Sequence, residues 1–104
     1  MIQLEVRLEL MPGKEEELLD IFKTQFAPAM AKQPGFIGVS LLKQRESESQ
    51  YRIEIVFESE EKRLAWVNTR EHEDTWTKLA ALTSKYSTTG FDFLAEISPK
   101  SGNE

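Results

Sequence analysis

One side chain in this sequence changes charge near neutral pH. His72 is the single histidine, and an imidazole with an ordinary pKa near 6.5 suits a general base or proton relay. Trp66 lies six residues before it. In an unbroken helix that spacing leaves the two side chains about a third of a turn apart; a break at Thr69 would bring them together. The plainer reading is a surface histidine at a helix start, flanked by Glu71 and Glu73. Trp66 and Trp76 fall in the same helical region. They are either core packing against a sheet or the aromatic wall of a pocket for a planar ligand. Asn68 and Arg70 sit within a turn of Trp66. Either one holds a ligand oxygen, or both satisfy the backbone at a helix break. Tyr51, Tyr86, Phe22 and Phe26 are expected in the core or the pocket lining.

Composition excludes other chemistries. The chain has 104 residues, with 13 Lys plus Arg, 18 Asp plus Glu and a formal net charge of −5. That length suits one domain. Hydrophobic residues are 39% and charged residues 30%, which marks a globular chain. With no cysteine and one histidine, a disulfide scaffold, a thiolate zinc site, a cysteine nucleophile and a multi-histidine metal site are ruled out within one chain; no metal site is expected. The acidic balance argues against nucleic-acid partners, which need phosphate neutralisation. No apolar run approaches the ~20 residues of a membrane span. The N-terminal MIQLEVRLEL alternates where a leader would need an unbroken apolar stretch, so a cytoplasmic location is expected. Motifs for nucleotide, hydrolase and zinc-protease sites are absent.

The elements that must position these residues follow from periodicity. Residues 2–11 alternate, with Ile2, Leu4, Val6, Leu8 and Leu10 on one face, and read as a strand. Pro12-Gly13 ends it. Lys14 to about Lys32 reads as a helix with Glu15, Glu16 and Glu17 at the positive end of its dipole. Its apolar stripe is Leu18, Phe22, Phe26 and Met30, and Pro28 is expected to kink or shorten it. Phe36 to Gln44 is a second strand, with Ile37, Val39 and Leu41 sharing a face and Gly38 marking a bulge or close approach. After the polar connection 45–50, Tyr51 to Phe57 is the third strand. Ser59 caps a helix from about Glu60 to Asn68, and Thr69 caps a second from Arg70 to about Lys85. Thr88 to Ile97 is the fourth strand, with Phe91, Phe93, Ala95 and Ile97 inward. The order βαββαβ with short connections implies an α+β, ferredoxin-like fold: a four-stranded antiparallel sheet with both helices on one face. The domain is placed at residues 1–98, with 99–104 a flexible C-terminal tail.

The other sheet face would carry Glu5, Arg7, Glu9, Arg52, Glu54, Asp92 and Glu96, mixed with Val56, Leu94, Phe36 and Leu42. It is either a solvated face, as antiparallel sheets permit, or the interface of a two-fold dimer in which both charge signs find partners.

Four stretches, PGKEEELLDIF, QPGFIGVSLLKQ, VFESEEKRLAWVNTREH and GFDFL, resemble in this order the antibiotic biosynthesis monooxygenase domain family. The matching features are Pro12-Gly13-Lys14, Pro34-Gly35-Phe36, Phe57-Glu58-Ser59, Trp66 and His72. The resemblance implies a homodimer joined through the sheet faces, a dimeric α+β barrel with a pocket between sheet and helices in each subunit. It also implies oxygenation of electron-rich aromatics by O2 with no metal or flavin cofactor. Relatives that break down haem carry an Asn on the first strand, a Trp on the second helical region and a His several residues later. Here Trp66 matches, Val6 stands at the Asn position, and Trp76 lies nearer than His72 to the place of the His.

The expected function is thus a cofactor-independent monooxygenase of a small phenolic, quinol or polyketide-like aromatic. His72 would be the base or relay, Trp66 the aromatic wall and Asn68 or Arg70 the oxyanion contact, with Trp76, Phe22 and Tyr51 also bounding the substrate. The alternatives are a haem-binding or haem-degrading protein, and a non-catalytic stress-response or interaction domain whose pocket is filled by its own side chains.

Overall fold

The computed structural model describes residues 1–99; most of the expected tail, from residue 100 on, lies outside them. The chain forms β1 (Ile2–Leu10), α1 (Glu15–Ile21), a π-helical turn (Phe22–Phe26), α2 (Ala27–Ala31), β2 (Phe36–Lys43), β3 (Gln50–Phe57), α3 (Glu60–Val67), α4 (Arg70–Ala80) and β4 (Thr83–Asp92). The strands make one antiparallel sheet in the order β2-β3-β1-β4. Each helical crossover therefore joins parallel strands with one strand between them, the interlocked arrangement of a ferredoxin-like fold. No helix among the described residues is long and apolar enough to cross a membrane.

The core lies between the sheet and the helical layer. Val6, Leu8 and Leu10 of β1 and Tyr51, Ile53, Ile55 and Phe57 of β3 meet Leu18, Ile21, Phe26, Met30, Trp66 and Leu79 from the helices, all buried. The period-two pattern of the two central strands fixes this, because a slip by one residue would send every apolar side chain to the opposite face.

The first helical segment runs from Glu15 to Ala31 with a widened turn in the middle. Pro28 has no N–H and cannot close a regular turn upstream. The strain is absorbed at Phe22–Phe26, where the Ala27 N–H reaches back five residues to the Phe22 carbonyl. The expected kink is thus a local widening, which turns Phe26 into the space under α3 and α4.

Two features differ from the sequence-based expectation. The ladder shifts between Phe36 and Gly38, so Ile37 is the extra residue of a bulge. Phe36 then sits opposite Phe57 on the helical side, ring centroids 6.0 Å apart, and Ile37 is 49% exposed. Gly38 signalled the bulge, but Ile37 does not share a face with Val39 and Leu41, and Phe36 is not on the open face. The second difference is at the other edge. α4 ends at Ala80, not Lys85, and β4 starts at Thr83, not Thr88. Helical spacing of Trp76, Leu79, Ala80 and Thr83 extends past the true end. The Thr83 hydroxyl donates to the Ala80 carbonyl (2.8 Å) and closes the helix, and the run of Ser, Thr and Tyr after it favours a strand. The earlier start lets β4 pair with the whole of β1, down to Leu10. It also ends the strand at Asp92. Phe91 therefore pairs with Gln3 on the open face and is 49% exposed. Asp92 pairs with Ile2, which by alternation turns it toward the helical side. Glu96 and Ile97 lie beyond any strand, and Ile97 is exposed rather than inward.

Gly35 joins α2 to β2 at a tight point. Its φ is +84°, and a Cβ there would lie 2.7 Å from Cβ and Cγ of Lys62 on α3. Its carbonyl accepts the Glu58 N–H at 2.8 Å. Gly35→Ala is expected to lower stability by about 1–3 kcal/mol, from left-handed strain together with displacement of Lys62, measured as a lower urea midpoint with an unchanged m-value.

Candidate active site

The site is built around the gap between α3 and α4. Ser59 caps α3, accepting the Lys62 N–H at 3.2 Å. Thr69 caps α4, its hydroxyl accepting the His72 N–H at 3.1 Å. The same hydroxyl donates to the Trp66 carbonyl at 2.8 Å. One side chain thus ties the end of one helix to the start of the next. The result is the juxtaposition that a continuous helix would forbid: the rings of Trp66 and His72 meet edge to face, 5.2 Å between centroids and perpendicular.

Beneath this pair is a cleft of about 210 Å³. Its floor is the sheet: Leu4 and Val6 of β1, Ile55 of β3 and Thr88 of β4. Its walls are Phe26, Trp66, Val67, Trp76 and Tyr86, and Arg63 and His72 complete it. The aromatic rings brace one another. Phe26 stands 6.0 Å from Trp66 and 6.2 Å from Trp76, and Trp76 meets Tyr86 at 5.0 Å, perpendicular. Such offset and edge contacts hold rings in fixed orientations.

His72 is half-buried and lines two spaces at once. It bounds the apolar cleft, and it also bounds an open groove on the outer surface formed by Val67, Asn68, Thr69, Arg70, Glu73, Trp76 and Thr77. Burial pushes its imidazole below the usual histidine pKa, and the Arg63 cation pushes the same way against the opposing carboxylate of Glu73. Both effects favour the neutral form of the ring, the form that can accept a proton.

Of the residues expected at the site, the structure brings together His72, Trp66 and Trp76. Asn68 and Arg70 lie on the outer groove and not in the cleft. Phe22 stands behind Phe26, centroids 6.4 Å apart, outside the lining. Tyr51 is four residues along β3 from Ile55. Its hydroxyl donates to Glu15, whose carboxylate also pairs with Lys43 at 2.9 Å, so it fastens α1 to the sheet. Sequence reasoning missed Arg63. It precedes Trp66 by three and Val67 by four residues, the spacing of one helix face, which is the signal that would have found it. Thr88 entered only with the corrected register of β4.

A family comparison shows the lineage of the chain. The model of the antibiotic biosynthesis monooxygenase family matches residues 1–78. The chain belongs to that family. Solved structures extend the likeness through β4. A variant of SnoaB, a cofactor-independent oxygenase from Streptomyces nogalater, has 19% identity and a TM-score of 0.84, covering 94% of this chain and 97% of that one. A variant of MhuD with two manganese protoporphyrin IX bound per active site has 24% identity and a TM-score of 0.79, covering 95% of this chain and 100% of its own. A protein of unknown function from Nitrosomonas europaea has 26% identity and a TM-score of 0.75, covering 96% and 95%. No curated protein matches the chain.

The depressed histidine has a measurable consequence. The unfolded chain restores an ordinary imidazole near 6.5, so it binds a proton first as pH falls. His72 therefore costs stability as pH drops from 6.5 toward its folded midpoint, and the loss levels off below that. Two-dimensional NMR should place the His72 titration below 6.5, and His72→Asn should lose less stability than the native chain between neutral and mildly acidic pH in urea unfolding.

Proposed function

We propose that this protein is a cofactor-independent monooxygenase that oxidises a small phenolic or quinol-type aromatic with O2. The observation that carries the reading is the pairing of a ring-walled cleft with one neutral, half-buried base at its boundary with the outer groove. A cavity of 150 Å³ is known to take a benzene ring, so about 210 Å³ suits one substituted ring or a compact pair.

The chemistry asked of the protein is limited, because the substrate supplies the electrons. His72 takes the proton of the phenol or of an activated ring carbon, and the electron-rich anion passes one electron to O2. Recombination of the resulting radical with superoxide forms a C–O bond to a peroxide. Its O–O bond then breaks with loss of water, leaving one oxygen atom in the product as a carbonyl. The substrate gives up the electrons and O2 accepts them, so no further reductant is required. The apolar walls keep water from the anion and strengthen each polar contact inside. The hydroxyls of Tyr86 and Thr88, both in the lining, are the proposed donors to developing oxyanion charge, in place of Asn68 and Arg70. His72 then exchanges its proton with solvent through the outer groove.

Val6 lines the cleft without a polar atom, which speaks against the haem reading. The free space beside Trp66 and Trp76 also speaks for a ligand site over a chamber closed by its own rings. Oxygen-electrode assays with a panel of quinols and anthrones should show uptake. His72→Ala should lower kcat/KM by about 10²–10⁴-fold, the usual worth of a positioned base, and unchanged turnover would remove the role. A Soret shift with equimolar haem and no oxygen uptake with any quinol would favour the haem reading instead.

We further propose that two copies join through their open sheet faces. Support comes from the charge pattern on that face. Glu5, only 8% exposed, is held by Arg7 at 2.9 Å and Arg52 at 3.1 Å, and Arg52 also reaches Glu54 at 3.5 Å. Leu42, Val56 and Phe91 share the face by register. Paired charges beside apolar side chains form a surface that tolerates burial. Size-exclusion chromatography over a range of concentrations should give a dimer; a species of 12.0 kDa throughout would contradict it.

A further inference from the structure

Among the residues that line the cleft, Arg63 brings the one permanent charge. Its side chain is only 17% exposed. Two of its nitrogens are engaged on the outer side. Nε donates to Glu60 Oε1 at 2.9 Å and Nη2 to Glu60 Oε2 at 2.6 Å, while Glu60 itself is largely exposed. A guanidinium carries five N–H donors. Those of Nη1 and the second of Nη2 are not used by this pair. A pocket meant only for neutral rings has no use for further guanidinium donors in its wall, and Glu60 takes only two of the five that Arg63 carries. The geometry instead presents an anchored donor fork beside the aromatic walls of Trp66 and Phe26.

We propose that Arg63 selects substrates whose aromatic ring carries a carboxylate, so that the cleft takes hydroxylated aromatic acids in preference to their neutral counterparts. This inference rests on the reading of the cleft as the substrate site. Glu60 holds the outer edge of the guanidinium and fixes its plane, and the carboxylate of the ligand takes the inner N–H groups. Charge-assisted bonds of this kind are about twice as strong as neutral ones. Selectivity comes equally from the amide or ester analogue, which offers the remaining N–H groups no charged acceptor in a water-poor space. The arrangement has a second effect. Arg63 from α3 and Glu73 from α4 are the charges that act on His72. A bound carboxylate neutralises Arg63 and makes the imidazole more basic, so that the acid substrate itself primes the base.

The test compares 2,5-dihydroxybenzoate with 2,5-dihydroxybenzamide, which differ in charge and little in shape. Quenching of tryptophan fluorescence reports binding, since Trp66 and Trp76 both line the cleft. The benzoate should bind at least about tenfold tighter than the benzamide at low ionic strength, a difference within reach of one charge-assisted pair. R63M should erase that preference, read as the ratio of the two affinities within the variant. E60Q, on an exposed side chain, should raise the benzoate-to-benzamide affinity ratio, because a competing carboxylate is gone while the amide oxygen still accepts one N–H of the fork. The His72 titration followed by NMR should move upward when benzoate binds and stay in place with benzamide. Equal affinity for the two compounds, no binding of either, or a preference that survives R63M would overturn the proposal. Should R63M fail to fold, an unaltered preference in E60Q overturns it as well. The two readings fail separately. Arg63-dependent benzoate binding without oxygen uptake would sink the oxygenase reading and leave this one standing. Oxygen uptake with neutral quinols, indifferent to R63M and not shared by the acids, would do the reverse.

Discussion

The candidate site depends on one hydroxyl. Thr69 accepts the His72 N–H in the first turn of α4 and donates to the last turn of α3, and these two bonds replace helical ones that a continuous segment would make. Helix termini leave backbone groups without partners. A break in mid-crossover is tolerated only when something satisfies them, and Thr69 does so on both sides. The change of axis puts Trp66 and His72 in contact and opens the space below them. Had residues 60–80 formed a single helix, His72 would have pointed elsewhere and the sheet would have been covered without a gap.

The π-helical turn is the complementary device on the facing segment. Pro28 imposes it through a missing N–H, and the widened turn directs Phe26 at both tryptophans. Two irregularities, each with a local chemical cause, therefore meet across the same cleft. Lys78 donates to Gln25 at 2.7 Å and Lys32 pairs with Glu71 at 3.0 Å, so α4 is also fastened laterally to the turn and to α2. Exposed contacts of this kind contribute little stability; their use is in registering α4 over the cleft. The electrostatics are correspondingly simple. One cation and one imidazole occupy an apolar lining, and the cation lowers how readily the imidazole carries charge.

The fold was largely legible because its signals are local. Alternation in β1 and β3 marks buried strands, Pro12-Gly13 and Pro34-Gly35 mark ends, and Ser59 and Thr69 mark helix starts. Each depends on neighbours within a few residues. The C-terminal part was less legible for the opposite reason. Residues 81–92 carry a helical echo from Leu79 to Thr83 and a polar strand whose inward positions are Tyr86, Thr88 and Gly90, small or hydroxylated rather than apolar. Nothing in that stretch announces its face. Phe91 and Ile97 looked inward by alternation, yet register exposes Phe91 and Ile97 lies past the end of the strand. At the other edge, the bulge at Ile37 exchanged the faces of Phe36 and Ile37, which alternation alone assigns the wrong way round.

The amino-acid sequence by itself determined the order of elements, the two caps that break the second crossover, and the presence of a single base between two tryptophans. Those follow from side chains acting on their own backbone. Tertiary structure alone decided which of the candidates share one space. It sent Tyr51 to the anchoring of α1, turned Asn68 and Arg70 to the outer groove, kept Phe26 and Tyr86 in the lining, and brought in Arg63 and Thr88. The reason is that a cleft is made by strand register and helix placement across distant parts of the chain, and those are set by which buried faces fit together rather than by any short run of residues.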